Sequence, residues 1–175
     1  MGQYYFDNWY RGAGINLLDM TDEQKKPILF ILEHPDLVKY KVKDNSELRE
    51  ILSKNYQYLM KNIKQYNWLD LSNLKTLRSL WYDTDEFTGD ISEWNTGHIA
   101  DMEFTFFRCP IHFNIKNWDV SGCMNFHGIF LESCFTTDDI KNWNINPEAD
   151  TRDMFNYGET YNPVTKSIEP NKFDV

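Results

Sequence analysis

The residues best suited to bind a metal ion lie between positions 83 and 90. The segment 83–86 reads DTDE and Asp90 follows it, so oxygen ligands for calcium are close together. The EF-hand pattern nevertheless fails here, because Phe87 takes a ligand position and Thr88 takes the position that needs glycine. The sequence therefore favours a solvated loop over a calcium site.

Histidines and one tripeptide are the next candidates for chemistry. Residues 34–36 read HPD, as in chaperone J-domains, but apolar and acidic residues precede them where a basic helix is needed, which favours a helix end. His98, His112 and His127 share no common spacing to a tryptophan, and none is spaced to suggest zinc. Phosphate-loop and nucleophile motifs are missing too. We therefore expect no enzymatic activity, no catalytic residues, no metal and no cofactor.

The cysteines and the lengths of the apolar segments indicate the cellular compartment of the protein. The chain has three cysteines, Cys109, Cys123 and Cys134, and their spacing does not match a metal-binding motif. An odd number of cysteines favours buried free thiols in a reducing compartment over a disulfide framework. The longest apolar run, 28–32, is far shorter than the roughly 20 residues of a transmembrane helix. The N-terminus lacks the pattern of a secretory signal. We expect a cytoplasmic protein.

Charge is spread unevenly along the 175 residues, whose net charge is −9. Residues 1–82 contain 12 basic and 10 acidic side chains, whereas residues 83–159 contain 4 basic and 15 acidic ones. Such a surface repels phosphate backbones and attracts basic partners. Solubility alone is the other interpretation of the same acidity.

The first part of the chain has helical patterns. Residues 21–34 begin with a Thr21 cap and acidic residues, and Pro35 follows the last turn. A second helix is predicted from a cap at Asn45 or Ser46 to about Lys64, because its apolar residues recur at helical spacing.

A repeat begins after residue 68. Trp94, Trp118 and Trp143 are spaced by 24 and 25 residues, and Leu69 takes the same position one turn earlier. The positions three before and twelve after each tryptophan are also apolar: Ile91, Ile115 and Ile140, then Phe106, Phe130 and Phe155, with Trp81 matching Phe106. Equivalent positions in stacked turns would form the core of a solenoid. Cys109, Cys123 and Cys134 are predicted to be buried at inward positions.

Polar residues recur in three columns in which Asp alternates with Asn. The columns, counted from the tryptophan position, lie one after it (Asp70, Asn95, Asp119, Asn144), four before it (Asp90, Asn114, Asp139) and seven after it (Thr76, Asp101, Asn125, Asp150). Parallel strands lie roughly 4.7–4.9 Å apart, where like charges repel. The alternation therefore predicts that these residues stack on one another in adjacent turns.

This pattern resembles the BspA-like bacterial surface-protein repeat, a leucine-rich-repeat relative also known from mycoplasma lipoproteins. Its typical unit runs GDIS-NWDVSNVT-M-MF-C. The matching residues lie within about 69–158: Asp70 to Asn73; Gly89 to Ser92, Trp94, Asp101, Met102, Phe106 and Cys109; Asn117 to Ser121, Phe130 and Cys134; Asn142, Trp143, Met154 and Phe155. The third turn departs from the unit at Pro147, Glu148 and Thr151, where a terminal cap is expected.

The resemblance implies a right-handed parallel solenoid with short strands that binds other macromolecules. We therefore predict an α+β fold, namely a short leucine-rich-repeat-like solenoid of about 3–4 turns with an N-terminal helical cap. The predicted domains are a cap region, 1–66, the repeat solenoid, 67–158, and a C-terminal tail, 159–175.

The function that we predict is non-enzymatic protein–protein interaction, in which an acidic solenoid face binds a basic partner. The predicted contact residues are Glu93, Asp101, Glu103, Asp119, Asp138 and Asp139. The alternative is a viral or phage inhibitor that mimics nucleic acid and so blocks a nucleic-acid-binding protein such as a CRISPR or restriction nuclease. Neither hypothesis involves direct binding of nucleic acid or membrane by this chain.

Overall fold

The computed structural model describes residues 40–52, 66–67, 69–85, 87 and 89–171. The predicted helix at 21–34, the HPD tripeptide and residues 86 and 88 of the candidate calcium loop lie outside them. The regular elements are short: β1 (Tyr40–Lys41), α1 (Asn45–Ile51), β2 (Leu69–Asp70), a 3-10 helix (Thr137–Asp139), β3 (Glu159–Asn162) and β4 (Ser167–Pro170). Most of the described chain consists of turns that stack on one another.

Helix α1 is capped by Asp44, so the prediction of Asn45 or Ser46 as the cap was wrong by one or two residues. The Glu47 N–H donates to Asp44 Oδ1 at 3.0 Å, as an N-cap requires. The helix ends at Ile51, and residues 53–65, over which the prediction continued to Lys64, lie outside the described residues. Leu48 is fully buried, so the apolar face of α1 packs into the core.

Successive turns are joined by parallel backbone pairing. Thr76 pairs with Asp101, Asp101 with Asn125, and Asn125 with Asp150. The predicted stacking of the column seven residues after the tryptophan is therefore confirmed. Its backbone hydrogen bonds are short: the N–H of Leu77 donates to Asp101 O at 2.9 Å and that of Phe126 donates to Asp150 O at 2.8 Å.

The side chains of this column also explain why Asp, Asn and Thr exchange there. Each one accepts a hydrogen bond from the backbone N–H two residues further on, at 2.9 Å for Thr76, 3.0 Å for Asp101 and 3.1 Å for both Asn125 and Asp150. Asp70 and Asp119 accept the same kind of bond. All three residue types offer a suitable oxygen, so local turn formation selects them, and charge alternation is a second constraint.

The tryptophans tie each turn to the one before it. The indole N–H of Trp94 donates to Tyr66 O at 2.9 Å, that of Trp118 to Ile91 O at 3.0 Å and that of Trp143 to Ile115 O at 2.9 Å. Each acceptor lies three residues before the tryptophan position of the preceding turn. The rings of Trp94 and Trp118 stack with centroids 6.1 Å apart.

The second aromatic column follows the predicted register. Ring centroids lie 5.1 Å apart for Trp81 and Phe106, 5.7 Å for Phe106 and Phe130, and 5.3 Å for Phe130 and Phe155. Trp81, Phe106 and Phe130 are almost fully buried. The predicted contact between equivalent positions of adjacent turns is confirmed for this column.

Three turns bend at two left-handed positions that lie four residues apart, and the last turn has the first of them only. They have φ angles of +51° to +59°: Ser79, Phe104, Gly128 and Asp153 at the first bend, and Asp83, Arg108 and Glu132 at the second. Glycine is needed at only one of them. A Cβ atom on Gly128 would lie 2.2 Å from Phe104 Cε1, because the Phe104 ring of the preceding turn covers that position.

Both ends of the stack are covered. At the first turn, β1 pairs in parallel with β2, and Arg49 of α1 donates to Arg78 O at 2.6 Å. At the last turn, the segment that the sequence analysis left as a tail forms an antiparallel hairpin of β3 and β4. Its Tyr161 is buried, and the Thr151 hydroxyl donates to the backbone carbonyl of Tyr161 at 2.6 Å. Each end of the stack thus has a strand paired to it. The solenoid class and its handedness stay predictions.

The three cysteines are free thiols, and two of them are buried as predicted. Burial raises the pKa of both Cys109 and Cys123 to about 11. The prediction that Cys134 is buried was wrong, because its side chain is exposed. Cys109 lies 15 residues after Trp94, whereas Cys134 lies 16 residues after Trp118. This offset of one residue accompanies the difference between the buried thiol of Cys109 and the exposed thiol of Cys134.

The indole hydrogen bonds can be tested by comparing two tryptophans. We expect Trp118→Phe to lower the free energy of unfolding by roughly 1 kcal/mol more than Trp81→Phe does. Both rings are buried and lose the same volume, but the Trp81 indole N–H has no hydrogen-bond partner among the described residues. Urea unfolding of the two variants measures the difference, and equal losses would contradict a stabilising role for the indole bond.

The steric demand at Gly128 can be separated from backbone strain. Gly158→Ala is the matched control, because Gly158 also has a positive φ, +75°, but nothing lies within 4 Å of its added Cβ. We expect a loss of about 1 kcal/mol for the control and at least about 2 kcal/mol for Gly128→Ala, measured by thermal unfolding. When Gly128→Ala is combined with Phe104→Ala, the extra loss of stability relative to Gly158→Ala should disappear. If the two alanine variants unfold alike, the contact with Phe104 is unimportant.

Candidate functional site

Two of the six predicted contact residues lie together on the paired face of the turns. Asp101 Oδ2 lies 3.1 Å from Arg78 Nε, and Glu103 forms an ion pair with the same guanidinium. Glu103 also accepts a hydrogen bond from Asn125 Nδ2 at 3.0 Å. The two carboxylates therefore share one guanidinium, so Arg78 offsets only one of their two charges before any partner binds.

The same face continues with further contacts between acidic and basic residues. His127 Nε2 lies 3.4 Å from Asp153 Oδ2, and Arg152 Nη2 lies 2.6 Å from Asp150 Oδ2. The guanidinium of Arg152 holds the pKa of the Asp150 carboxyl below its ordinary value. The acids of this face are thus engaged with basic groups of the chain itself.

Asp139 is buried, and its carboxylate stabilises the local fold through hydrogen bonds. Its Oδ1 lies 2.9 Å from His112 Nε2, while its Oδ2 accepts the backbone N–H of Thr136 at 3.0 Å. Burial acts to raise the pKa of this carboxyl, but the hydrogen bonds from Thr136 and His112 outweigh it, so the pKa lies below its ordinary value. The carboxylate closes the first turn of the 3-10 helix.

The other three predicted contact residues, Glu93, Asp119 and Asp138, are exposed. Within the described part of the chain, none of the three forms an ion pair. The hydroxyl and backbone N–H of Ser121 lower the pKa of Asp119. These carboxylates are the predicted contacts that remain available to a partner.

Glu93 and Asp119 belong to a surface that we call the outer strip, formed by exposed residues that flank the buried tryptophans. It consists of Glu93, Asn95, Asn117, Asp119, Asn142 and Asn144. Exposed Lys116 and Lys141 precede the asparagines of the later turns. The carboxylates of the outer strip therefore lie on its first two turns, and a lysine flanks the second of them.

A second exposed surface was missed by the sequence analysis, and we call it the aromatic rim. The rings of Tyr82 and Phe107 stack with centroids 4.7 Å apart, and the Arg108 guanidinium lies 5.0 Å from the Phe107 centroid. Arg108 Nε lies 2.7 Å from Glu132 Oε2. Arg108 and then the Tyr157 hydroxyl lower the pKa of Glu132. Extending the repeat register to positions 13 and 14 after each tryptophan would have found this surface.

A groove of about 410 Å³ lies beside the aromatic rim. Apolar side chains and hydroxyls share its lining: Leu131, Phe135, Phe155, Tyr157, Ser133 and Thr136. Tyr157 is 64% exposed and Ile168 of β4, which also lines the groove, is 39% exposed. The groove therefore offers aromatic surface to solvent at the end of the stack.

The described residues contain neither a candidate metal site nor a candidate membrane helix. No group of three or more His, Cys, Asp or Glu side chains there could hold a metal ion. No helix in the same residues has the length and apolar character needed to cross a membrane. His98, which was considered as a zinc ligand, contacts the neighbouring turn instead. Its Nε2 lies 2.8 Å from Leu71 O.

The role of Asp139 predicts a pH dependence of stability. Because its pKa is lower in the folded state, its contribution is present above the unfolded pKa, near 3.8, and is lost as the pH falls through the folded pKa. We expect Asp139→Asn to lower the free energy of unfolding at pH 7 by roughly 1–3 kcal/mol and to reduce its fall below pH 4.

The control for this prediction is Asp138→Asn, which changes the exposed neighbour in the same 3-10 helix. It should leave the free energy of unfolding within about 0.5 kcal/mol of the parent. Urea unfolding at a series of pH values between 2 and 7 measures both variants. Parallel pH profiles for the parent and Asp139→Asn would refute the role given to Asp139.

Comparison with known proteins gives one family match. A family model described as "Mycoplasma protein of unknown function, DUF285" matches residues 35–168. It extends beyond the region of the repeat resemblance, 69–158, and includes α1, which the sequence analysis had left outside the repeat. No curated protein and no solved structure matches the chain.

Proposed function

This chain belongs to the DUF285 family, and we propose that it is a non-enzymatic protein–protein interaction module that binds a basic partner. The proposal includes the right-handed solenoid, the finer placement among BspA-like repeat proteins and the cytoplasmic location. Stacked turns suit this role because they present equivalent side chains at regular intervals along a rigid surface.

The observation that carries the proposal is the difference between the two acidic faces. On the paired face, Arg78 and Arg152 already neutralise carboxylates. On the outer strip, Glu93 and Asp119 are exposed and form no ion pair within the described residues. They flank Trp94 and Trp118, whose rings stack, so the two carboxylates are held beside the same buried column. The outer strip is therefore the better candidate for the contact surface.

Long-range electrostatics would act in the same direction. Residues 83–159 contain 15 acidic and 4 basic side chains. A net negative field raises the association rate of a basic partner and disfavours partners of the same sign. Its main effect is expected on the rate of encounter and on partner choice, and less on the strength of the final contact.

Mimicry of nucleic acid is the less favoured function. A mimic needs a dense row of carboxylates in place of phosphates. In the outer strip, however, Asn95 and Asn117 occupy positions equivalent to those of Asp119 and Glu93 in the neighbouring turn. Displacement of DNA or RNA from the partner would favour the mimic; binding that leaves nucleic acid in place favours an adaptor.

Charge reversal tests the role of the outer strip. The partner is first captured from the native host with the full chain and identified by mass spectrometry. We then expect Glu93→Lys to slow association with this partner by about threefold to tenfold at low salt, as measured by surface plasmon resonance. Glu148→Lys, at another exposed glutamate, should change the rate less than twofold.

Salt provides the second arm of this experiment. The difference between the two variants should shrink at 0.5 M salt, where the Debye length is only a few ångströms, about 4 Å. If the captured partner is not basic, or if its association is insensitive both to Glu93→Lys and to salt, the outer strip does not drive binding and the proposed function is wrong.

A further inference from the structure

We propose that the groove beside the aromatic rim binds an arginine-containing, extended segment of the basic partner. This inference rests on the proposed function and assigns the partner a second contact, at the end of the stack opposite to α1. It concerns aromatic side chains rather than the carboxylates of the outer strip.

The size and lining of the groove suit a short peptide segment. Its volume of about 410 Å³ lies within the range of roughly 300–1,000 Å³ that is typical of ligand sites. Phe135, Phe155 and Ile168 provide apolar surface, while Ser133 and Thr136 add hydroxyl groups. Such a lining accommodates the methylene stem of an arginine and can also accept hydrogen bonds from its guanidinium.

The chain already binds one guanidinium in this way. Arg108 lies 5.0 Å from the centroid of the Phe107 ring and 2.7 Å from Glu132 Oε2, so an aromatic face and a carboxylate hold it together. The planar guanidinium is suited to both contacts at once, more so than the ammonium of lysine. A partner arginine would meet the same chemistry one turn further along, at Tyr157.

Tyr157 is the central residue of the proposed site. Its side chain is 64% exposed, although it lines the groove. The Glu132 side chain of the neighbouring turn raises the pKa of the Tyr157 hydroxyl. A large exposed aromatic ring that lines a groove is a typical anchor of protein interfaces.

Charge complementarity indicates that the occupant is basic. Glu132 is balanced by Arg108, but Asp138, next in the chain to Thr137 of the groove wall, is exposed and forms no ion pair within the described residues. A second copy of this chain would bring another net charge of −9 to a chain that is itself acidic. The same net charge attracts a basic segment.

The experiment uses the full chain and a defined probe. The probe is a fluorescein-labelled peptide in which four arginines alternate with serines, and its twin replaces every arginine by citrulline, which has the same shape without the charge. Fluorescence anisotropy gives the Kd, and ¹⁵N chemical shifts locate the bound peptide. We expect the arginine peptide to shift residues 131–137 and 155–157, and the citrulline twin to bind at least about tenfold more weakly.

Three variants separate the ring face from other effects. Tyr157→Ala should weaken binding of the arginine peptide about tenfold, whereas Tyr157→Phe, which keeps the ring, should stay within about twofold of the parent. Tyr82→Ala removes the other exposed tyrosine of the aromatic rim, which does not line the groove, and should also stay within about twofold. Thermal unfolding checks that all three variants are folded.

The outcomes distinguish this inference from the proposed function. If Tyr157→Ala and Tyr157→Phe bind the peptide equally well, or if the citrulline twin binds as tightly, the groove does not recognise arginine and the inference is overturned. If Glu93→Lys slows association of the partner while Tyr157→Ala has no effect on the peptide, the proposed function stands and only the inference fails. The reverse result keeps the groove as an arginine site and refutes the outer strip.

Discussion

Parallel backbone pairing between adjacent turns is the interaction on which the rest of this structure depends. Because Asp101 pairs with residues of the turns on both sides, Thr76 and Asn125, equivalent positions are brought into register throughout the stack. Every other regularity follows from that register. Rings stack on rings, and the indoles of Trp94, Trp118 and Trp143 each donate to a carbonyl of the preceding turn. Side-chain oxygens accept the same local hydrogen bond in successive turns. No single turn could bury its own aromatic residues, so the register is also what creates the core.

The register also determines which carboxylates form ion pairs within the chain and which stay exposed. On the paired face, Arg78 forms ion pairs with Asp101 and Glu103 of the next turn, and Arg152 forms one with Asp150. The positions that flank the tryptophans carry acids and amides but no arginine. Glu93 and Asp119 consequently remain exposed on a surface whose backbone is fixed by the buried column beneath it. A rigid scaffold with exposed carboxylates is well suited to select a partner by charge.

Much of this arrangement follows from residue spacing alone. The distance of 24 or 25 residues between tryptophans located the column of Trp81 and Phe106 and the pairing of Asp101, because a periodic sequence repeats its contacts as well as its residues. Position within a turn is harder to predict. Cys134 is shifted by one residue relative to Cys109, and a one-residue shift in extended chain turns a side chain to the opposite side. A repeat spacing that varies by one residue therefore cannot predict whether a cysteine thiol is buried or exposed.

The sequence by itself determined the family, the register of the turns and the residue types of the core, because these depend on periodic apolar positions. Only the tertiary structure decided which carboxylates are free, since Asp139 and Glu93 look alike in the sequence but one is buried against His112 and the other is exposed. It also revealed the groove at Tyr157, because that surface brings together side chains from different turns and from the C-terminal hairpin. Ion pairing and exposure depend on neighbours that are distant along the chain, and those neighbours are fixed only when the turns stack.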